Sequence, residues 1–360
     1  MTPSGGTGSV VLQIQLKSLQ MKFRMVAPMA LVLALSACSG NPLGNVAAPV
    51  VVVPPQGSDG GISRDGLPPG TTNPSRSNTI SRYEAKDDQG GGYVTSVKYN
   101  GANDTFQVTS LAFDGGGVYT RGKAVGQLGP YAVYESAANY TDAQTGKPIT
   151  PGQLTHRAIY AVSTSGQTEF AIVRTGSFVG YGFGGFLYQR NGTVTLPTTG
   201  QASYSGAYAG LRDFQGRGGL EYATGDMTMA IDFDGYGGSG AVQAQVRNRA
   251  VYDINGNDIT ASVLSALTTK TGVTQTALPT LVFEVGPGVL DVNGEMIGQV
   301  SSGTFDSGGA VTSFEAGNYY AIVSGANANE VVGVLVVTAN DPRFSGVTVR
   351  ETGGFILNRP

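Results

Sequence analysis

From about residue 90 onward, the chain consists of short runs of alternating apolar and polar residues that are separated by glycine-containing turns. The run at 93–99 alternates and is followed at once by Asn100-Gly101, a dipeptide typical of a tight β-hairpin turn. The next run, at 105–113, also ends in a glycine-rich turn. Many short runs with regular turns indicate a β-sandwich or a β-barrel.

The composition agrees with an all-β fold and excludes several kinds of chemistry. The chain contains 55 glycines, which favour turns, while its Val, Thr, Tyr and Phe residues favour strands over helices. A single cysteine cannot form an internal disulfide, and one cysteine with one histidine cannot form a Cys/His zinc cluster. The net charge is −3 and no basic cluster is present, so we expect no nucleic-acid partner.

The N-terminal region is typical of a secretion signal that ends at a lipidation site. Lys22 and Arg24 precede an apolar run at 26–35, which is far shorter than the ~20 residues that cross a bilayer. Residues 35–38, Leu-Ser-Ala-Cys, resemble a bacterial lipobox, and this resemblance implies cleavage before Cys38 and lipidation of its thiol and new amine. The alternative is an ordinary signal peptide with an unrelated cysteine.

We therefore predict a signal peptide over 1–37, with Met21 as an alternative start, and a lipidated flexible tether over 38–80. The tether segment is rich in Gly, Pro, Ser and Asn, and it cannot bury enough surface to offset its ordering entropy. Ser39 follows the cysteine, which by resemblance to the lipoprotein sorting pattern implies the bacterial outer membrane. The expected location is a lipid-anchored, surface-exposed position, with membrane lipid as a partner through Cys38.

Two β-rich blocks follow the tether, at 81–195 and at 200–360. The second block contains about eight to ten predicted strands. Only 258–267 looks helical, with Thr260 as a possible cap and a length of about two turns.

Three motifs resemble catalytic or metal-binding sequences. Glycines at 180–185 and 235–240 match the G-x-G-x-x-G pattern, but strand-like residues follow where a phosphate-binding helix is needed. Residues 253–258 match part of a calcium loop, for which a polar turn is the alternative. His156 has no nucleophile elbow near it, although a carboxylate pair acting as acid and base stays open. We predict a non-enzyme with no catalytic residue, no metal and no cofactor.

The second block contains an ordered series of small motifs. YSGAYAG at 204–210 is followed by GDMTMAIDF at 225–233 and by GANANEVVGV at 325–334. This order resembles the β-barrel domain of transferrin-binding protein B and related surface lipoproteins, and the last motif is the most specific part. Ala326 and Val332 depart from the family pattern. The resemblance implies an eight-stranded antiparallel β-barrel over 200–360, preceded by a β-rich handle-like domain over 81–195.

The resemblance also implies a surface binding module. Its loops would capture a host protein or an iron- or haem-bearing ligand for an outer-membrane receptor. A structural envelope lipoprotein that faces the periplasm and has no ligand of its own is the alternative. The residues expected at ligand-binding loop tips are Arg212, Phe214, Arg217, Tyr236, Arg343 and Phe344, because arginine and aromatic side chains are common at the centres of interfaces.

Overall fold

The computed structural model describes residues 66–109, 111, 114, 117–136, 144–147, 155–177, 180–234, 240–284 and 286–360. These residues form two antiparallel β-sheets, one of which closes into a barrel. The predicted all-β class and eight-stranded barrel are confirmed. The predicted signal peptide and Cys38 lie outside the described residues.

The first sheet, which we call the handle sheet, contains nine short strands. They are β1 (Ile80–Tyr83), β2 (Ser96–Asn100), β3 (Thr105–Thr109), β4 (Val118–Arg121), β5 (Gln127–Leu128), β6 (Tyr131–Ser136), β7 (His156–Val162), β8 (Thr168–Arg174) and β9 (Gly184–Arg190). The strand order is β1-β9-β8-β7-β6-β4-β3-β2, and β5 pairs with β6. Most strands therefore pair with their sequence neighbours, as the regular turns predict. The hairpin predicted at Asn100-Gly101 joins β2 to β3.

The second sheet forms the barrel. Its strands are β10 (Gln201–Gln215), β11 (Leu220–Asp232), β12 (Gly240–Tyr252), β13 (Leu281–Phe283), β14 (Gly286–Leu290), β15 (Glu295–Phe305), β16 (Val311–Ser324), β17 (Glu330–Asn340) and β18 (Thr348–Asn358). Strands β13 and β14 share one position between β12 and β15. Strand β11 pairs with both β10 and β12, so the sheet closes with eight positions around the barrel.

The barrel interior is filled by side chains from alternate strand positions, as in other small barrels. The largest of these buried side chains are aromatic and include Tyr208, Phe283, Tyr319 and Phe355. Phe283 and Tyr319 pack with their ring centroids 4.4 Å apart. This core holds the barrel strands in register.

One face of the handle sheet packs against the outside of the barrel wall. Phe170 on β8 lies against Gly354 on β18, where a Cβ atom would come within 2.3 Å of the phenylalanine ring. The hydroxyl of Tyr131 donates a hydrogen bond of 2.7 Å to the carbonyl of Ala207 and accepts one of 2.9 Å from the amide of Ile356. The handle sheet and the barrel therefore share a packed interface.

Two sequence predictions need correction here. Residues 66–79, which were assigned to the flexible tether, are hydrogen-bonded to the two sheets, for example from Arg190 Nη2 to the carbonyl of Ser75 at 2.7 Å. The predicted helix is present as α1 (Thr260–Thr271), which is longer than the two turns expected. Its Thr260 is not the cap, because the side-chain oxygen accepts a hydrogen bond from the amide of Val251 instead.

Candidate functional site

Two neighbouring turns meet at one end of the barrel, because β10 pairs with β18 along their length. The turn at 216–219 joins β10 to β11, and the turn at 341–347 joins β17 to β18. We call this region, defined by these two turns, the arginine end. Four of the six residues predicted to bind a ligand lie in or beside these turns, namely Phe214, Arg217, Arg343 and Phe344.

The side chains at the arginine end alternate between guanidinium groups and rings. The Arg217 guanidinium carbon lies 4.6 Å from the ring centroid of Phe214 and 4.2 Å from that of Phe344. Arg343 approaches the same Phe344 ring at 5.2 Å. Arg217 is exposed and Phe344 is 38% exposed, so this cation–π stack reaches the surface.

The expectation that Arg212 and Phe214 are exposed is wrong. Phe214 is 1% exposed because it packs against Val347 and Val349 in a small cluster at this end of the barrel. Arg212 is 4% exposed and is paired with Glu221. Tyr236, the remaining predicted residue, lies outside the described residues. Arg217 and Phe344 therefore remain as exposed candidate contact residues, whereas the Arg343 side chain is only 9% exposed.

A buried set of ion pairs lies beneath the exposed stack. Arg343 bonds to Asp341 at 2.7 Å and to Glu221 at 2.9 Å, so it joins the turn at 341–347 to strand β11. On the other side of this set, Arg212 donates a hydrogen bond of 2.7 Å to Glu221, and its Nε atom lies 3.4 Å from a carboxylate oxygen of Glu351. The two turns are thus fixed to each other by charge-assisted hydrogen bonds.

The same set of ion pairs continues among three barrel strands. Arg249 on β12 bonds to both carboxylate oxygens of Glu315 on β16 at 2.7 Å and to both oxygens of Glu351 on β18 at 3.0 Å. Ser302 donates a 2.6 Å hydrogen bond to Glu315, and Tyr208 donates one of 2.8 Å to Glu351. Sequence reasoning missed these residues, because isolated charged positions in a strand give no signal of burial.

The pKa values of Arg249 and Glu315 are shifted in the directions that keep both groups charged. Burial opposes the charge of Arg249, but the two facing carboxylates outweigh it and raise the pKa of Arg249 well above its ordinary value. Burial alone would raise the pKa of Glu315, but Arg249 and the Ser302 hydroxyl hold it below the ordinary value. Burial raises the pKa of Tyr208, so its phenol stays protonated and donates to Glu351. These groups stabilise the end of the barrel that carries the turns at 216–219 and 341–347.

A second ion-pair set joins the handle sheet to the barrel. Arg174 on β8 makes two 2.8 Å hydrogen bonds to Glu84 and one of 2.9 Å to Thr352 on β18. Arg350 makes a two-pronged pair with Asp213 at 2.8 and 3.0 Å. Burial raises the pKa of Asp213 even though both arginines act against it, whereas Arg174 outweighs burial and lowers the pKa of Glu84. This set fixes the handle sheet beside the arginine end.

The glutamate of the 325–334 motif also links the handle to the barrel. The Glu330 carboxylate accepts hydrogen bonds from Thr168 and from Ser165, the latter at 2.8 Å. Gly325 has a φ of 94°, a conformation that favours glycine, and pairs with Val194 in the connection between the two sheets. These contacts give the motif a structural role.

The other sequence candidates lie apart from the arginine end. His156 is fully buried, with its ring edge-on to Tyr119 at a centroid distance of 6.2 Å. The Asp253 carboxylate accepts hydrogen bonds from the amides of Asn255 and Asn257, as in a polar turn. Within the described part of the chain, no group of three or more His, Cys, Asp or Glu side chains is arranged to hold a metal ion.

The residues that the structure describes include no helix that is both long enough and apolar enough to cross a bilayer.

Comparisons with known proteins show likeness of structure only. No family model matches the sequence, and no curated protein matches it. A transferrin binding protein B mutant from Haemophilus parasuis Hp5 matches over 79% of this chain and 51% of its own, at 12% identity and a TM-score of 0.35. The protein of the same name from serogroup B Neisseria meningitidis matches over 59% of this chain and 35% of its own, at 12% identity and a TM-score of 0.28. A structure described as a surface lipoprotein matches over 56% of this chain and 80% of its own, at 12% identity and a TM-score of 0.27.

The chain therefore spans about half the length of the first of these structures. The resemblance expected from the sequence is present as a distant resemblance of fold. The class of protein that the fold defines is an all-β protein with a closed eight-stranded barrel and a handle sheet packed on its wall.

Proposed function

We propose that this chain is a lipid-anchored protein of the bacterial outer membrane whose arginine end binds a partner protein at the cell surface. The observation that supports this proposal is the exposed stack of Arg217 and Phe344 on two turns that buried ion pairs hold in place. Arginine and aromatic side chains contribute most of the binding energy in many interfaces. A surface that is fixed before binding also loses less entropy when the partner docks.

The first described residues contact the end of the barrel opposite the arginine end. The described chain begins at Gly66, next to Ile297, and Arg76 donates a hydrogen bond to the carbonyl of Val292. Both contacts lie near the turn between β14 and β15, which is at the opposite end of the barrel from the arginine end. This first part of the described chain therefore leaves the arginine end uncovered.

The partner that we propose to test first is an iron-carrying protein, which a separate outer-membrane receptor would then engage. The basis for this choice is the sequence resemblance at 325–334. We propose no cofactor for the chain itself and no catalytic role for the ion pairs, since their arginines hold the carboxylates in place.

The anchor and the orientation can be tested in intact cells. Cys38→Ser should release the protein from the membrane fraction, and protease added to whole cells should cut the unmodified protein. Loss of membrane association without any cleavage in intact cells would instead support the periplasm-facing structural alternative. Membrane association that is unchanged in Cys38→Ser would contradict the lipid anchor.

The arginine end can be tested by retention of iron-carrying proteins, such as transferrin and haemoglobin, on the immobilised protein. Arg217→Ala and Phe344→Ala should each weaken retention at least about tenfold, the order expected when an interface anchor is truncated. Tyr99→Ala is the matched control, because Tyr99 is also 38% exposed but lies on the handle sheet. Retention of none of these proteins, or equal retention by all variants, would count against the proposal.

A further inference from the structure

One cation at the arginine end has no counter-charge within the described part of the chain. Arg217 is exposed in the turn at 216–219, and its Nε atom donates a 3.2 Å hydrogen bond to the carbonyl of Gly218. Among the described residues this is the one hydrogen bond of its guanidinium group, and none of their carboxylates forms an ion pair with it. Its two Nη atoms therefore still lack an acceptor there.

The carboxylates next to these turns are already engaged by the other two arginines. Glu221 accepts hydrogen bonds from Arg212 at 2.7 Å and from Arg343 at 2.9 Å, and Asp341 accepts one from Arg343 at 2.7 Å. Both acids are buried, whereas Arg217 is exposed. Arg212 and Arg343 are thus neutralised within the fold, and Arg217 is not.

The surroundings of Arg217 fix its position and leave one edge of the guanidinium group open. Its guanidinium carbon lies against the Phe214 and Phe344 rings at 4.6 and 4.2 Å from their centroids. Its neighbours in the turn are glycines, and a Cβ atom added at Gly219 would meet no atom within 4 Å except Arg217 Nη2, at 3.7 Å. The edge that carries Nη2 therefore borders on open space that an acceptor can enter.

We propose that Arg217 pairs with a carboxylate of the partner protein, supplied by an Asp or Glu side chain on the surface that docks on the arginine end. This inference rests on the proposed function, in which the partner covers the exposed stack. Covering an unpaired guanidinium group removes its charge from water, and this cost is offset only where an opposite charge and hydrogen bonds replace the water. Since the neighbouring carboxylates are engaged, the partner must supply that charge. A carboxylate suits the site because its two oxygens match the planar fork of guanidinium donors.

The inference can be tested by comparing loss of charge with reversal of charge at this position. The dissociation constants of transferrin and of haemoglobin would be measured on the immobilised full protein and on its variants Arg217→Gln and Arg217→Glu. Arg217→Gln should weaken binding about tenfold or more, because the partner's carboxylate loses its cation. Arg217→Glu should weaken it about tenfold further, because two like charges then face each other.

Arg359→Gln and Arg359→Glu are the matched controls. Arg359 is also exposed, but it follows β18 at the end of the barrel opposite the arginine end, where its amide bonds to the carbonyl of Asn329. These variants change the net charge of the protein by the same amounts and should leave each dissociation constant within about twofold. Circular dichroism of every variant would confirm that the β structure is intact.

Three outcomes count against the inference, and they separate it from the proposed function. If Arg217→Gln and Arg217→Glu weaken binding equally, the partner presents no carboxylate to Arg217, although the arginine end still binds it. If Arg359→Glu weakens binding as much as Arg217→Glu, the overall charge is responsible and the inference is wrong. If the unmodified protein binds neither transferrin nor haemoglobin, the choice of an iron-carrying partner fails and the inference fails with it.

Discussion

The substitution Arg249→Met tests whether the buried ion pairs hold the barrel together. Arg249 makes two hydrogen bonds to Glu315 and two to Glu351, and all three side chains are buried. Methionine keeps much of the side-chain volume but removes the charge, so two carboxylates lose their shared cation. Ser302 and Tyr208 still donate one hydrogen bond to each carboxylate, but neither carries a charge.

The cost follows from the burial of these groups. Removing one partner from a buried ion pair destabilises a protein by about 3–5 kcal/mol, because a charge is left in the interior without compensation. A loss of 1 kcal/mol lowers the melting temperature of a domain of about 150–250 residues by about 2–4 °C, so we expect a fall of roughly 10 °C. Unfolding in urea, followed by circular dichroism, should give the free energy directly.

Arg121→Met is the matched control for this experiment. Arg121 also makes a two-pronged pair with an acid, Asp104, at 2.9 Å for both bonds, but the two side chains are 40% and 43% exposed. Exposed pairs contribute about 0–1 kcal/mol, so this variant should be nearly as stable as the unmodified protein. If Arg249→Met and Arg121→Met differ by less than about 1 kcal/mol, the reasoning from burial is refuted.

Two further predictions concern the interface and the acid stability. Gly354→Ala should cost about 1–3 kcal/mol in urea unfolding, because the new Cβ would lie 2.3 Å from the Phe170 ring and the packed interface must shift. Gly192→Ala, whose Cβ would meet nothing closer than 3.6 Å, should change stability by less than about 0.5 kcal/mol, and equal losses in both variants would contradict the packing argument. The folded-state pKa of Glu315 lies below its ordinary value of 4.5, so the stability it contributes is present above that pH and is lost as the pH falls through the lower folded value. The melting temperature should therefore fall as the pH drops below about 4.5, and by less in Arg249→Met, whereas an identical pH profile in both proteins would show that this pair is not responsible.

The sequence predicts the strands and the barrel better than it predicts the surface. Alternation and the Asn100-Gly101 turn indicate the hairpins, because side-chain period and turn chemistry are local properties. The closure of the barrel was expected from the motifs at 204–210 and 325–334 rather than from the pattern of any single strand. The pairing of strands that lie far apart in the sequence, such as β10 with β18, cannot be predicted from the residue pattern of either strand.

The errors at the arginine end have a common physical cause. A strand at the surface of a barrel normally buries every second residue, so Arg212 and Phe214 were expected near solvent as part of a loop tip. Strand β10 in fact buries Leu211, Arg212, Asp213 and Phe214 in succession, because one face points into the barrel and the other lies beside the handle sheet. Where two sheets cover both faces of a strand, charge no longer indicates exposure.

The buried ion pairs also constrain the register in which the barrel strands pair. Replacing a buried ion pair by apolar residues is often neutral or stabilising, so these pairs are weak evidence for stability alone. Arg249, Glu315 and Glu351 lie on β12, β16 and β18, which are not neighbours in the closed sheet. A slip of one residue in any of these strands would move its charged side chain to the other face and leave its partners buried and unpaired. The three strands must therefore be in register together, and this same register places the turns at 216–219 and 341–347 side by side.

We expect a variant in which Arg249, Glu315 and Glu351 are all replaced by apolar residues to stay folded. Its turns at the arginine end should be held less firmly, so it should retain the partner protein more weakly than the unmodified protein even if its free energy of unfolding is unchanged. A triple variant that keeps full retention would show that packing alone sets the position of these turns.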